Sequence, residues 1–138
     1  MPQYYLYTDG AARGNPGPAG AGAYICTPQG EVVAEIAEYL GETTNNVAEY
    51  QGLLFGLKRL IELKAGSVEV RADSELMVKQ INGQYRVKHP NLIPLHAEAK
   101  QLMRKIPEVK VVHVRREQNK DADRLSNIAI DQIDQKDR

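Results

Sequence analysis

Four acidic side chains fall where packing alone does not ask for all of them: Asp9, Glu49, Asp73 and Asp123. Asp9 closes an alternating stretch that begins at Gln3, and Asp73 follows another, Ser67 to Ala72. If those stretches are neighbouring parallel strands, both carboxylates stand at the carboxyl edge of a sheet, where open α/β sheets bind ligands. Glu49 falls on helical spacing with Leu53, Gly56 and Leu60, beside an apolar stripe instead of opposite it. Asp123 lies four residues after Asn119, on one helix face with it, and borders the stripe Ala122, Leu125 and Ala129; Asp121, on the other flank, competes for the same role. Each residue also has a purely structural reading. Asp9-Gly10 suits a turn, Asp73-Ser74 a helix cap, Asn46 and Glu49 a capping box, and Asp121 or Asp123 a helix start matched to the macrodipole. Carboxylates gathered at one point raise one another's pKa and cannot all ionise without a counter-charge. A hard cation resolves that conflict, and oxygen-only ligation favours Mg²⁺ or Mn²⁺. Two such ions about 3.5 to 4 Å apart activate a water and stabilise a departing alkoxide. The chemistry these residues point to is metal-assisted phosphodiester hydrolysis.

Positioning the four takes a particular set of elements. Gln3 to Asp9 reads as a strand, Gly14 to Gly20 as a loop because of its glycines and prolines, and Ala21–Thr27 with Glu31–Ala37 as a hairpin turning at Pro28-Gln29-Gly30. From Val47 the apolar period changes to three and four, through Tyr50, Leu53, Leu54, Leu57, Leu60 and Ile61, and stops near Ala65-Gly66. A fourth strand over Ser67–Ala72, a short helix over Ser74–Ile81, a helix over Leu92–Ile106, a fifth strand over Val109–Val114 and a last helix from Lys120 to about Ile133 complete the pattern. The order βββαβααβα predicts an α/β fold: a five-stranded mixed sheet, three antiparallel strands and then two parallel ones reached by right-handed crossovers, flanked by helices.

With 138 residues the chain is read as a single domain, residues 1–138, with about 131–138 a frayed tail. No apolar run approaches the roughly 20 residues of a membrane span, which excludes insertion. The N-terminus lacks a secretory pattern and Cys26 stands alone, so a cytoplasmic location is expected; Cys26, His89, His96 and His113 offer no pair at zinc-finger spacing. Zero net charge hides an uneven distribution: −4 over residues 1–83, +5 over 84–124 and −1 over 125–138. An acidic front and a basic back suit a protein that holds cations in one region and meets a polyanion with another. The basic stretch from Arg104 to Arg124, with Lys105, Lys110, Arg115, Arg116 and Lys120, is the candidate for phosphate-backbone contact.

Read together and in order, Tyr7-Thr8-Asp9-Gly10, Gly14-Asn15-Pro16-Gly17-Pro18, Thr43-Thr44-Asn45-Asn46-Val47-Ala48-Glu49, Ala72-Asp73-Ser74 and Asn119-Lys120-Asp121-Ala122-Asp123-Arg124-Leu125 resemble the type 1 ribonucleases H, the ribonuclease HI family. The resemblance runs from Tyr4 to about Ile130. It implies the ribonuclease H-like fold, with Asp9, Glu49, Asp73 and Asp123 as catalytic metal ligands, and so favours Asp123 over Asp121. It implies hydrolysis of the RNA strand of RNA/DNA hybrids, 3′-hydroxyl and 5′-phosphate ends, and Mg²⁺ or Mn²⁺ as cofactor, two ions per site when substrate is bound. It implies substrate contacts from Gly10, Asn15, Thr44, Asn45, Asn46, Asn119 and Arg116, the asparagines meeting 2′-hydroxyls and base edges in the minor groove and Thr44 a DNA-strand phosphate. The partner expected is the hybrid itself, with no membrane, no obligatory protein partner and a monomeric state.

The chain departs from that pattern in three places. The connection Gln80 to Pro90 is short, with Arg86, Lys88 and His89 as its only basic groups, where many bacterial relatives carry a basic helical insertion. The connection from Val114 to Asn119 has no histidine to match a mobile catalytic one, leaving Arg116 or Glu117 to substitute, while His113 falls within the fifth strand. Glu42 stands where some relatives place a phosphate-binding arginine. A binding module that keeps the fold and has lost turnover is the alternative, against which the four intact carboxylates argue.

Overall fold

The computed structural model describes residues 2–136, with side chains as far as Ile133. Strands β1 (Tyr4–Ala12), β2 (Gly17–Cys26) and β3 (Val32–Thr43) form an antiparallel meander. Helix α1 (Asn45–Glu62) crosses to β4 (Ser67–Ala72), which lies parallel to β1; helices α2 (Glu75–Ile81) and α3 (Ile93–Met103) then lead to β5 (Glu108–His113), parallel to β4. A single 3₁₀ turn, Arg116–Gln118, precedes α4 (Lys120–Lys136). The sheet order is β3-β2-β1-β4-β5, a mixed five-stranded sheet of the kind the sequence pattern predicts.

Helix α1 packs its stripe of Tyr50, Leu53, Leu54, Leu57 and Leu60 on Leu6, Ile25, Val68 and Val70, and together they form the main core. Burying each such aliphatic side chain contributes about 1.5–3 kcal/mol. The Tyr50 hydroxyl donates to Gln80 Oε1 (2.7 Å), which satisfies two polar groups inside that core. Helix α4 covers the opposite face of β1, β2 and β3. Beyond the reach of α4, Arg71 lies over the Tyr5 ring (3.8 Å to its centroid) and donates to the Tyr7 hydroxyl (2.6 Å) and to Glu69 (2.7 Å).

Two expectations on the strands are corrected. Gly17 to Gly20 belong to β2, not to a loop: Pro18 lies past the last residue that pairs with β1, so its missing N–H costs no ladder bond there, and Gly20 and Gly22 are small because α4 presses on them. A Cβ at Gly20 or Gly22 would overlap the carbonyl oxygens of Ser126 and Ala122. Strands β1 and β3 likewise run further than the alternation suggests, β1 to Ala12 against β2 alone and β3 to Thr43. The expected turn is present, closed by Thr27 N–H on the Glu31 carbonyl (2.8 Å). At the other end of the chain α4 continues to Lys136, past the point where fraying is expected; Asp131 is ion-paired with Arg13 (2.6 Å), and residues 137–138 lie outside the described part.

Helix starts also differ in a way that bears on the site. Thr44, not Asn46, caps α1, its Oγ1 accepting from Val47 N–H (3.3 Å), so Glu49 lies beyond the first turn and no capping box forms around it. Ser74, not Asp73, caps α2, its Oγ accepting from Met77 N–H (3.2 Å). Both carboxylates are thereby released from capping. The end of α1 turns through Lys64, whose φ of +57° is left-handed, ahead of Ala65-Gly66.

The approach of α1 to β1 depends on glycine. A Cβ at Gly52 would stand 2.5 Å from the Asp9 carbonyl oxygen and 3.1 Å from that of Gly22, whereas one at Gly66 would meet nothing nearer than 3.8 Å. Gly52→Ala is expected to lower stability in chemical denaturation by about 1–3 kcal/mol, the usual cost of overpacking. Gly66→Ala is expected to stay within about 0.5 kcal/mol of the parent.

Candidate active site

Thr8 and Ala72 are the last paired residues of the parallel strands β1 and β4. Asp9 and Asp73 follow them directly, side by side at the strand spacing of roughly 5 Å. Asp9 is 9% exposed and accepts a hydrogen bond from Gly10 N–H (2.9 Å). Gly10 has no room for a Cβ, because the backbone of Ala48 and Glu49 occupies that space. The same contact that requires glycine at position 10 therefore delivers Glu49 to the end of β1.

Asp123 comes from the other face of the sheet. The Asn119 amide is 1% exposed and donates from Nδ2 to the Thr8 carbonyl (2.9 Å), fastening the start of α4 to β1 one residue before Asp9. One turn later, Asp123 N–H donates to the Asn119 carbonyl (3.1 Å), and the Asp123 carboxyl lies within hydrogen-bond reach of Asp9. Asn127 Nδ2 steadies it, donating to its carbonyl (3.0 Å) and less closely to Oδ1 (3.4 Å). Asp121 points elsewhere, toward Arg124 (3.5 Å), which also reaches Glu35.

The electrostatics follow from this crowding. Burial, then the charge of Asp73, then that of Asp123 push the Asp9 carboxyl up to about 8, opposed only by the Gly10 N–H. Burial also pushes Glu49 up, with Asp73 adding to it and a hydrogen bond from the Ser74 hydroxyl working against it. No cation is among the groups acting on either residue. In order of these mutual effects the four carboxylates run Asp123, Asp9, Asp73 and Glu49, a row of charge coupling; among the described residues no three His, Cys, Asp or Glu side chains form a group that could hold a metal ion. An all-oxygen donor set with unbalanced negative charge fits hard divalent cations.

Around the N-terminus of α1 the residues expected to meet substrate interlock. Asn15 Oδ1 accepts from Asn45 N–H (3.1 Å), and Asn45 Oδ1 accepts from Ala12 N–H (2.8 Å). The Asn15-Pro16 peptide is cis. Asn15, Thr44 and Asn46 line a cavity of about 190 Å³ with His89 and Leu92, the last two from the α2–α3 connection. That neighbourhood is invisible to motif reading, because His89 is far from the asparagines in sequence and sits in a segment without periodicity.

Three groups of expected contact residues sit as follows. Asn119 is buried, its amide nitrogen donating to the Thr8 carbonyl while its Oδ1 has no partner; helical spacing placed it beside Asp123 without showing which way it turns. Gly10 is buried beneath α1, against the backbone of Ala48 and Glu49. The basic stretch from Arg104 to Arg124 is not one patch: Arg104 and Lys105 precede β5 while Arg115, Arg116 and Lys120 follow it, separated by roughly 17 Å of strand. Arg116 and Glu117 are exposed on the 3₁₀ turn at the site's end of β5. His113 ends β5 and, behind Lys79, helps hold the Glu75 carboxyl below its usual range.

A family model described as "Reverse transcriptase-like" matches residues 7–129. A bifunctional protein of Mycobacterium tuberculosis is 44% identical over 127 residues, 91% of this chain and 35% of that protein; the structure of its N-terminal RNase H domain superposes with a TM-score of 0.94 at 40% identity, covering all of both chains. The ribonuclease HI of Halobacterium salinarum is 37% identical over 92% of this chain and 64% of its own length, and its crystal structure superposes at a TM-score of 0.90, covering 98% of that chain. LC11-RNase H1 in complex with an RNA/DNA hybrid is 46% identical, at a TM-score of 0.90 and with 94% of this chain covered. The chain thus spans about a third of the mycobacterial relative and about two thirds of the halobacterial one. A family model over residues 7–129 and RNase H structures that superpose at TM-scores of 0.90 to 0.94 over nearly their whole length establish that the chain belongs to the ribonuclease HI family, in a compact form.

Proposed function

We propose that this protein is an endoribonuclease that hydrolyses the RNA strand of RNA/DNA hybrids. Asp9, Glu49, Asp73 and Asp123 are its catalytic residues and would hold two Mg²⁺ or Mn²⁺ ions when substrate is bound. The observation that carries the reading is geometric: Asp9 and Asp73 follow the last paired residues of β1 and β4, Gly10 backs directly onto the Ala48–Glu49 backbone, and Asn119 ties the start of α4 to the Thr8 carbonyl. Divalent cations at that row would activate water for in-line attack on phosphorus and stabilise the departing 3′-oxygen, leaving 3′-hydroxyl and 5′-phosphate ends.

The remaining work falls to this chain's own groups. Asn119 and Asn127 orient Asp123, the Gly10 N–H orients Asp9, and the Ser74 hydroxyl holds Glu49. Asn15, Asn45 and Asn46 present amides toward a minor groove, where 2′-hydroxyls distinguish RNA from DNA. Thr44 meets a DNA-strand phosphate, and Arg116 on the 3₁₀ turn meets the backbone at the other end of the row. No helix among the described residues is long and apolar enough to cross a membrane. A monomer acting in the cytoplasm without an obligatory protein partner completes the proposal, and the unpaired buried Cys26 agrees with a reducing compartment.

A gel assay of end-labelled hybrid, RNA duplex and DNA duplex, each with Mg²⁺, Mn²⁺ or chelator, is expected to show cleavage of the hybrid's RNA strand only with a divalent ion. Cleavage in chelator would overturn the reading. Asp9→Asn and Asp73→Asn are expected to lower kcat by about 10³-fold or more, the scale of losing a group that stabilises transition-state charge, with hybrid binding retained. Stability supplies a separate check. The raised Asp9 pKa means that the native state keeps a proton which the unfolded chain has already released above about 4. This group therefore lowers stability progressively from about pH 4 to about pH 8 in metal-free protein. In chelator, Asp9→Asn is expected to have the higher Tm at pH 8 and a flatter pH dependence than the parent, with Mg²⁺ narrowing the gap.

A further inference from the structure

We infer that Tyr7 and Arg71 are positioning residues for the metal-binding pair: their hydrogen bond across β1 and β4, one step beneath Asp9 and Asp73, sets the separation of the two carboxylates and so their grip on a divalent cation. The inference rests on the function proposed above and deepens it, adding two residues to which neither the motifs nor the site geometry gives a task. It starts from the ladder. Strands β1 and β4 pair in parallel with Tyr5 opposite Glu69, Tyr7 opposite Arg71 and Thr8 opposite Ala72, and among the described residues the pairing stops there. Asp9 and Asp73 stand one residue past it, so what fixes their spacing lies below them. Side chains alternate between the faces of a sheet, so Tyr5, Tyr7 and Asp9 share one face with Glu69, Arg71 and Asp73, while Leu6, Thr8, Val68, Val70 and Ala72 are buried on the other. Tyr7 and Arg71 are thus the same-face pair next to the two aspartates, roughly 7 Å of strand away.

Their contact is held on three sides. Arg71 Nη1 donates to the Tyr7 hydroxyl (2.6 Å) and Nε to Glu69 Oε2 (2.7 Å), while the guanidinium lies over the Tyr5 ring, 3.8 Å from its centroid. A planar fork fixed by two hydrogen bonds and a ring face has little freedom left. Tyr7 in turn meets the Tyr24 ring edge to face at 6.1 Å, and Tyr24 is its partner on β2. Two residues before Tyr24, Gly22 pairs with Asp9 and receives α4 at Ala122, the neighbour of Asp123. Arg71, Tyr7 and Tyr24 therefore form a brace across three strands that reaches the seat of α4, beneath the elements that carry Asp73, Asp9 and Asp123. The brace ties these carboxylates without neutralising them. Arg71 is ion-paired with Glu69 and is not among the groups acting on Asp9 or Glu49. A cation aimed at the carboxylates would hold them equally well but would compete with the metal for their charge.

The test is a double-mutant cycle read by calorimetric titration of Mn²⁺ into hybrid-free protein and by steady-state cleavage of hybrid, with Tm followed throughout. Tyr7→Phe, which keeps the ring and removes only the hydroxyl, is expected to weaken Mn²⁺ binding about tenfold, the lower end for a residue standing behind a metal ligand. It is expected to raise the half-activating Mg²⁺ concentration by a similar factor while KM for hybrid stays within about twofold, because no substrate contact is removed. Arg71→Met is expected to match it, and the double variant to lose no more than either single one, since the two residues act through one contact. Leu60→Val loosens the buried core near the far end of α1 and leaves the brace intact; it is expected to lower Tm with Mn²⁺ affinity unchanged. Unchanged Mn²⁺ affinity in Tyr7→Phe, an equal loss in Leu60→Val, or losses that multiply in the double variant would overturn the inference. A parent protein that takes up no Mn²⁺ would overturn it together with the proposed function. Mn²⁺ binding that follows the cycle in a protein that cleaves no hybrid would overturn the proposed function alone and leave the brace standing.

Discussion

Negative charge crowded at the end of β1 is the constraint on which the rest of this structure turns. Asp9 is buried, has two carboxylates as neighbours and has one backbone N–H to oppose them. In water such a group ionises at about pH 4; here burial and its neighbours push its ionisation up to about 8. The surrounding architecture keeps that tension in place. Gly10 and Gly52 let α1 lie against β1, Gly20 and Gly22 let α4 lie against β2, and the buried Asn119 amide ties α4 to the Thr8 carbonyl. The glycines are therefore part of the site's electrostatics: each shortens a helix-to-sheet distance and so sets how strongly one carboxylate feels the next.

Stability and function draw on the same contacts in opposite directions. The aliphatic stripe of α1 against Leu6, Ile25 and Val70 holds the helix down, and in doing so brings Glu49 into an environment that disfavours its charge. The main core thus offsets the strain of the carboxylate row. Caps are placed so as not to relieve it. Thr44 and Ser74 close the starts of α1 and α2 with hydroxyls, leaving Glu49 and Asp73 without a capping role, and Ser74 serves twice by also donating to Glu49.

Much of this was legible in the amino-acid order. Alternation ahead of Asp9 and Asp73 gave two strand ends, and parallel pairing of those strands makes the two residues neighbours without further information. Glu49 was visible because a carboxylate beside an apolar stripe conflicts with burial. What could not be read was direction and distance. Helical spacing put Asn119 and Asp123 on one face but carried no sign of which one turns inward. Glycine and proline density made Gly17 to Gly20 look irregular, because sequence shows the missing side chains and not the helix that fills their space. Positive charges close in sequence around β5 looked like one patch, although a strand places its two ends far apart. His89 shares a cavity with Asn15 and Thr44 only through the tertiary fold, and nothing local to any of the three residues signals it.

The order in which the four carboxylates occur along the chain carries one more consequence. Asp9, Glu49 and Asp73 lie on elements that precede β5, whereas Asp123 rides on α4, and Asn119 must dock on Thr8 before Asp123 can approach Asp9. A polypeptide leaving the ribosome N-terminus first therefore has three of the four carboxylates early and brings up the fourth only when a segment more than one hundred residues downstream folds back onto the first strand. Until that return contact forms, the cluster of charge around Asp9 is incomplete.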